Sequence, residues 1–311
     1  MKSTYVHLTG GLGNQLFQLA AALYVRESIG GKVFLDLSLG KPRSTNGDPD
    51  VLQLNLPASV ASSNKSSSYF EQKVAGFMLR MGILPSKIEL LPISRRIILK
   101  ISEIVFSLRY RKPICVFVSN DVGFSEVRVK DHNFLIGYFQ TYKYLECPEV
   151  REKLSATFPL VINERMKELI DKALVEGPIF LHVRLKDYLK EKDFGIPHLD
   201  YYRNSLTRLQ GSSRKIWVFS DDLESAKRLL PMEFQTNYFF VEDQGLSPAQ
   251  ILHVMRYGKD YVIANSTFSW WAASLCIDQK SRVIAPEPWF ASMPEPKDLI
   301  PPHWIREKAF L

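Results

Sequence analysis

The sequence predicts an α/β protein in which parallel sheet is covered by helices on both faces, organised as two units. Three observations lead there. The second half alternates short β-branched apolar runs with helix-like runs, the pattern of successive β-α crossovers. The chain opens with a strand-like run, Tyr5–Leu8, a Gly-rich turn, Gly10–Gln18, a helix-like run over Leu16–Arg26 and a second strand-like run, Lys32–Leu37. Its 311 residues, 46% hydrophobic and 23% charged, suffice for two ordinary globular cores.

The elements follow in order. Ser38–Pro57 collects Gly, Pro, Asn and Asp and reads as loop, and Ala61–Ser68 ("ASSNKSSS") reads as a polar low-complexity loop. Phe70–Tyr110 reads as helix interrupted at Pro85 and Pro92. Strand-like "ICVFVS" and "NFLIGYFQ" come next, then a polar helical stretch over Pro148–Ala156, a plausible crossover. The domains are expected at 1–155 and 156–311. In the second, the expected strands are Ile179–Val183, "KIWVFS", "NYFFVE", "DYVIAN" and, last, "RVIAP". Helices are expected over Tyr201–Leu209, from about Leu223, through Pro248–Arg256 and over Phe268–Leu275.

Net charge is +7, which favours anionic partners. Between Lys73 and Lys112 nine Lys/Arg face only Glu89 and Glu103, a local excess equal to that of the whole chain. This stretch raises two readings, a basic helix touching a membrane surface and a solvated helix face. Nucleic acid is not expected as a partner, because aromatics are sparse there (Phe77, Phe106, Tyr110) and no RNA-binding motif appears. Three scattered cysteines, Cys115, Cys147 and Cys276, give neither a zinc spacing nor a disulfide framework and favour a reducing compartment. No apolar run approaches the about 20 residues of a membrane span. Leu16–Val25 is broken by Gln18 and is a poor leader core, so a cytoplasmic, membrane-peripheral location is expected.

Ligands of parallel α/β sheets bind beyond the carboxyl ends of the strands, so polar residues there are the candidates. "FLHVRLKDY" sets His182, Arg184 and Asp187 after an apolar strand; the arginine fork suits phosphate oxygens, and an Arg184–Asp187 bridge closing the loop is the structural reading. In "WVFSDD", Ser220, Asp221 and Asp222 open a helix, so one aspartate is an N-cap and the other is open to a guanine edge or a ribose. In "VIANSTFSWWAASL", Asn265, Ser266 and Thr267 join strand to helix, where unpaired N–H groups favour an anion; capping of a core helix carrying Trp270 and Trp271 is the alternative. Together the three turns suggest a nucleotide-diphosphate site. At the N-terminus Gly11, Gly13 and Asp36 suit a dinucleotide fingerprint, but its third glycine falls at Leu16, and Asn14-Gln15 put amides suited to a hydroxyl-rich ligand at the helix start.

The stretches "GGLGNQLFQ", "GYFQTYKYLE", "HVRLKDY", "LDYYRNSL", "FSDD", "ANSTFSWWAASL" and "PEPWF…IPPHW" cover nearly the whole chain in order. They resemble the bacterial and animal α-1,2-fucosyltransferases of glycosyltransferase family 11. That resemblance implies a GT-B-like fold, two Rossmann-like domains facing a cleft, with GDP-fucose as co-substrate held by the C-terminal domain. It implies inverting transfer of L-fucose from GDP-β-L-fucose to the 2-hydroxyl of a galactose-terminated, lipid-linked oligosaccharide in polysaccharide synthesis. By the same resemblance Arg184 binds the β-phosphate, His182 lies near guanine or phosphate, and Asp221 or Asp222 contacts guanosine. Ser266, Thr267, Phe268 and Ser269 then wrap the diphosphate, and Asp187, Ser220 and Asn265 are further donor-binding candidates. Gly11, Gly13, Asn14, Gln15, Gln140 and Tyr142 form the acceptor side, and Arg184 and Asn14 are the catalytic candidates. The commoner family form is HxRRxD; here Leu185 replaces the second arginine and Lys186 the usual glycine, which puts more weight on Arg184.

No cofactor and no metal are expected. Asp48-Pro49-Asp50 has DxD spacing but lies in a Pro/Gly loop, and Asp221-Asp222 are adjacent. His7 and Asp36 are the N-terminal candidates for a proton acceptor, each with a structural alternative, and a mechanism with no dedicated base is preferred. The competing functions are an NAD-dependent oxidoreductase, weakened by Leu16, and a fucosyltransferase of different linkage.

Overall fold

The computed structural model describes residues 1–39, 48–63, 65–83, 92–119, 123–124, 129–158, 163–186, 188 and 193–310. The chain divides into two compact units, Met1–Phe158 with Pro296–Leu299, and Pro159–Glu295 with Ile300–Leu311. Each is a parallel α/β unit, the architecture expected of two Rossmann-like domains.

In the first unit the order is β1 (Ser3–His7), α1 (Leu12–Ile29), β2 (Lys32–Asp36), β3 (Val60–Ser63), α2 (Tyr69–Ile83), α3 (Pro92–Tyr110), β4 (Cys115–Val118), β5 (His132–Ile136) and α4 (Pro148–Ser155). The sheet order is β3-β2-β1-β5-β4, all parallel. Strand alternation sorts the core. Tyr5, Val116, Phe134 and Ile136 join Ala75, Met78, Phe106 and Tyr110 in one cluster that α2 and α3 cover, with Phe106 stacked on Phe134 at 4.2 Å. The alternate residues Val6, Leu35 and Leu135 are also fully buried, on the face served by α1. That helix is apolar nearly all round, as a helix buried on most sides must be.

β3 overlaps the start of Ala61–Ser68, the segment read as a polar loop. Its "VASS" has little apolar signal of its own and is a strand because it adds to the edge of β2, from Val33↔Val60 to Asp36↔Ser63.

The second unit runs α5 (Glu164–Glu176), β6 (Ile179–Val183), α6 (Leu199–Arg208), β7 (Ile216–Ser220), α7 (Leu223–Leu229), β8 (Tyr238–Phe240), α8 (Pro248–Val254), β9 (Asp260–Val262), α9 (Thr267–Ser274), β10 (Val283–Glu287) and β11 (Ile305–Lys308). Here "RVIAP" is not the last strand: the charged "IREK" of β11 pairs in parallel with β10. The sheet order, β11-β10-β9-β6-β7-β8, is that of a Rossmann sheet: from β6 the chain builds outward through β7 and β8, then returns to build the other side from β9. Tyr201 braces the return, its hydroxyl donating to the carbonyls of Ile263 (2.5 Å) and Ile284 (3.2 Å).

Candidate active site

A Rossmann sheet has one place where neighbouring strands send the chain in opposite directions, and a crevice opens beyond their carboxyl ends. In the second unit that switch point lies between β6 and β9. His182 and Arg184 stand at one lip, and Asn265, Ser266 and the start of α9 at the other.

Asp221, just beyond the end of β7, organises the first lip. One carboxylate oxygen accepts from the Leu185 backbone N–H (2.9 Å), and the other accepts from the Lys186 N–H (3.1 Å) and lies 3.3 Å from Arg184 Nε. The arginine is therefore held by the end of the neighbouring strand. Asp187, the other partner the sequence offers for Arg184, lies outside the described residues. Asp222 is the N-cap of α7, accepting from the Ser225 N–H (3.0 Å) and hydroxyl (2.8 Å), and Ser220 Oγ accepts from the Asp222 N–H (3.0 Å). Both aspartates thus have structural work, so the choice between cap and ligand contact is not made by one standing idle. Leu185 is buried in the core cluster of the unit while Lys186 is exposed.

His182 is buried, and its ring lies 6.0 Å from that of Phe268. Burial, reinforced by the neighbouring Arg184, pushes its pKa down to about 3, so the imidazole is neutral and brings no positive charge to the site. Its Nδ1 is buried without a hydrogen-bond partner.

At the second lip Asn265 is buried and donates from Nδ2 to the carbonyls of Phe194 (2.9 Å) and Gly195 (3.1 Å), while its own carbonyl accepts from the Tyr188 hydroxyl (2.8 Å). These bonds fold the segment after β6 onto the turn after β9. Gly195 is required there: its φ is +71°, and a Cβ would fall 2.5 Å from that of Ala291. Ser266 caps α9, accepting from the Phe268 N–H at 3.3 Å. The Ser269 hydroxyl is buried and donates to the Ser266 carbonyl (3.2 Å). Thr267 and Phe268 are half-buried; Trp270 and Trp271 are fully buried core.

In the first unit a seam runs between the turns that follow the neighbouring strands β1 and β5. Two amide bridges span it: Gln18 Nε2 donates to the Gly137 carbonyl (3.0 Å) while its Oε1 accepts from the Thr9 N–H (3.0 Å), and Gln140 Nε2 donates to Asn14 Oδ1 (3.0 Å). Asn14 and Tyr142 are half-buried; Gln140 is buried and keeps Oε1 without a partner. Gln15 does not line this surface. Its side chain is fully buried, donating to the Gly10 carbonyl (2.9 Å) and accepting from the Val51 N–H (2.9 Å), because the turn needs its own carbonyl and the incoming loop satisfied. Gly13 is likewise buried. At Gly11 a Cβ would meet nothing within 4 Å, and no side chain caps α1, so the helix start has open space beside it.

The two proton-acceptor candidates differ. His7 is buried with Nδ1 unpartnered, and burial lowers its pKa to about 4 against the opposing pull of Asp36. Asp36 is fully buried and engaged: Arg109 Nη2 lies 3.3 Å away, Ser38 gives its N–H (3.0 Å) and hydroxyl (2.9 Å), and the Tyr110 hydroxyl also donates to it. Arg109 in turn reaches Glu71 and the carbonyls of Lys65 and Ser66. That network is structural. Sequence reading missed the partners Gln18, Tyr188, Phe194 and Arg109; of these only Gln18, an amide on an otherwise apolar helix, carries a local signal.

A model of glycosyl transferase family 11 matches residues 82–308. The chain is 28% identical to an alpha-1,2-colitosyltransferase of Escherichia coli, covering 98% of this chain and 99% of that one. It is 26% identical to the O-antigen biosynthesis glycosyltransferase WbnK of Escherichia coli, over 92% of this chain and 95% of that one. Among solved structures it is similar to the fucosyltransferase NodZ from Bradyrhizobium, at 13% identity, 88% and 93% coverage and a TM-score of 0.44. It is also similar to the E. coli ADP-heptose heptosyltransferase II, at 11% identity, 99% and 90% coverage and a TM-score of 0.47.

Proposed function

Because the chain belongs to glycosyl transferase family 11, we propose that it transfers L-fucose from GDP-β-L-fucose to the 2-hydroxyl of a terminal galactoside. The linkage formed is α, with inversion, and the setting is polysaccharide assembly on the cytoplasmic side, on an acceptor carried by a lipid. The observation that carries this reading is Arg184, fixed by Asp221 beside the β6/β9 switch point, opposite the start of α9.

Cleavage of the fucose–phosphate bond builds positive charge on the sugar and negative charge on departing GDP. Arg184 meets the β-phosphate with its planar fork, and the backbone N–H groups at the start of α9 meet the same charge from the other lip. These groups are preorganised, so they stabilise the leaving group more in the transition state than in the bound donor. The reading therefore needs neither a metal nor a cofactor. His182 is neutral and serves as a hydrogen-bonding wall for the nucleotide. Asn14, oriented by Gln140, and Tyr142 bind the acceptor sugar, with Gly11 leaving room for it. The acceptor proton leaves with the departing phosphate oxygen in a dissociative transition state, without a dedicated base.

A second reading, a colitosyl rather than a fucosyl donor in the same linkage, is supported by the relative named an alpha-1,2-colitosyltransferase. Incubation with each GDP-sugar and a panel of galactosides, followed by NMR of the product linkage, distinguishes them. Transfer to no galactoside from either donor overturns the proposal; complete loss in EDTA, restored by manganese or magnesium, overturns its metal-free chemistry.

A further inference from the structure

α2 and α3 bury one face each in the first unit, and what they leave outside mixes apolar residues with cations. On α3 the outward residues Ile97, Ile101, Ile104 and Leu108 recur at spacings of four, three and four, a single stripe along the helix. All four are exposed, Ile104 at 61% and Leu108 at 75%. The stripe lies opposite Ser102 and Phe106, which are fully buried. On α2 the outward residues are Tyr69, Lys73, Phe77 and Arg80, again one face, opposite the buried Ala75 and Met78. Lys73 sits over the Tyr69 ring at 5.1 Å. Both buried faces enter the same core cluster, and the two helices touch.

The charge around these stripes has one sign. Lys65, Lys73, Arg80, Arg96, Lys100 and Arg111 are all exposed. Among the described residues of 65–112 the only acids are Glu71 and Glu103; both are half-buried, and they pair with Arg109 and Lys100. The α3 stripe ends at Leu108 on a hollow of about 480 Å³ lined by Lys65, Ser66, Glu71, Arg109 and Arg111. An isolated exposed isoleucine is ordinary; four in line, beside two exposed aromatics and a rim of cations, form a patch that marks an interaction site.

We propose that the outward face of α2 and α3 docks on an anionic lipid bilayer, with Ile97, Ile101, Ile104 and Leu108 entering the headgroup–acyl boundary and the surrounding lysines and arginines meeting lipid phosphates. The pairing of an apolar stripe with a cationic rim is that of interfacial helices, whereas a second protein would more often present acids to such a rim. No described helix is long and apolar enough to cross a membrane, so the contact is peripheral. The inference does not rest on the identity of the donor or acceptor sugar.

The test is co-sedimentation of the full chain with large unilamellar vesicles of phosphatidylglycerol and phosphatidylcholine in equal parts, against phosphatidylcholine alone. The protein pellets with the anionic vesicles, less with the zwitterionic ones, and is released by 0.5 M salt. The variant I101S/I104S/L108S stays in the supernatant while transferring sugar to a soluble acceptor at the normal rate. Each of Lys73→Gln, Arg80→Gln and Arg96→Gln weakens partitioning about fivefold; these mild surface changes decide the matter if the triple variant fails to fold. Absence of pelleting, equal pelleting on both vesicles, or variants that bind as well as the parent overturn the proposal. So does a triple variant whose only change, by analytical ultracentrifugation, is loss of self-association.

Discussion

Asp221 fixes Arg184 from the neighbouring strand, its carboxylate 3.3 Å from Nε and also holding the backbone N–H groups of Leu185 and Lys186. A guanidinium on a flexible loop would lose rotamer entropy on meeting a phosphate; here one edge is already placed. The pair lies partly open to water, so its direct contribution to stability is small. Its value is in positioning.

Arg184→Ala is expected to reduce transfer by about 10²–10³ while leaving the melting temperature nearly unchanged, because the lost interaction is with charge that develops in the transition state. Arg184→Lys recovers little, since an ammonium cannot hold Asp221 and a phosphate in one plane. Steady-state turnover and thermal melts of the two variants check this. Near-normal turnover in Arg184→Ala would remove the arginine from the mechanism.

Leu185→Arg restores the commoner family sequence and is nevertheless expected to damage the protein. Leu185 is buried in the apolar core cluster of the second unit, so an arginine there either buries a charge or tears open the turn that Asp221 holds. A loss of about 3 kcal/mol or more by urea denaturation is expected, with no gain in GDP affinity. Tighter GDP binding at unchanged stability would show that the residue turns outward without cost.

How legible this was depends on which residues carried the signal. β6, β7 and β9 are apolar runs buried on both faces, and their sequences announce them; so do the Pro92 start of α3 and the polar strand ends. β3 and β11 are edge strands whose "VASS" and "IREK" are strands through their neighbours, a tertiary cause with little local trace. The same holds for side chains. Arg184 is readable at a strand end, but that Asp221 holds it depends on sheet order, and the Asp36–Arg109 pair joins residues 73 apart. Gln15 shows the limit of reading polar residues as site residues: an amide in a tight turn can serve the backbone instead.

Buried histidines set an acid limit on stability. His7 and His182 have pKa values lowered to about 4 and about 3, and His253, beside Arg256, is lowered to about 4; burial is the main cause in each. Below the ordinary histidine pKa of about 6.5 the unfolded chain takes up protons that the folded one refuses. Stability is therefore full above about pH 6.5 and falls as the pH drops toward 4, by about 1.4 kcal/mol per pH unit for each histidine. Urea denaturation between pH 7 and 4.5 should show this slope, and His182→Gln should flatten it by about one proton. An unchanged slope would mean that this imidazole charges in the folded state.

The question of a catalytic base resolves into two experiments on residues that are neighbours across β1 and β2, His7 and Asp36. Asp36 is enclosed by Arg109, Tyr110 and Ser38, so Asp36→Asn leaves the Arg109 guanidinium buried beside a neutral group. Breaking a buried pair in this way costs about 3–5 kcal/mol. The loss should appear in the melt, with turnover per folded molecule preserved, and Arg109→Met in the same chain should recover part of it, because the buried guanidinium would keep only the half-buried Glu71 as an ionic partner. His7 is neutral and weakly basic where it stands, so His7→Gln should keep turnover within about tenfold, whereas removal of a working general base costs about 10²–10⁴. If His7→Gln loses turnover on that larger scale while still binding GDP, the acceptor proton goes to the imidazole, and the transition state does not hand it to the leaving phosphate.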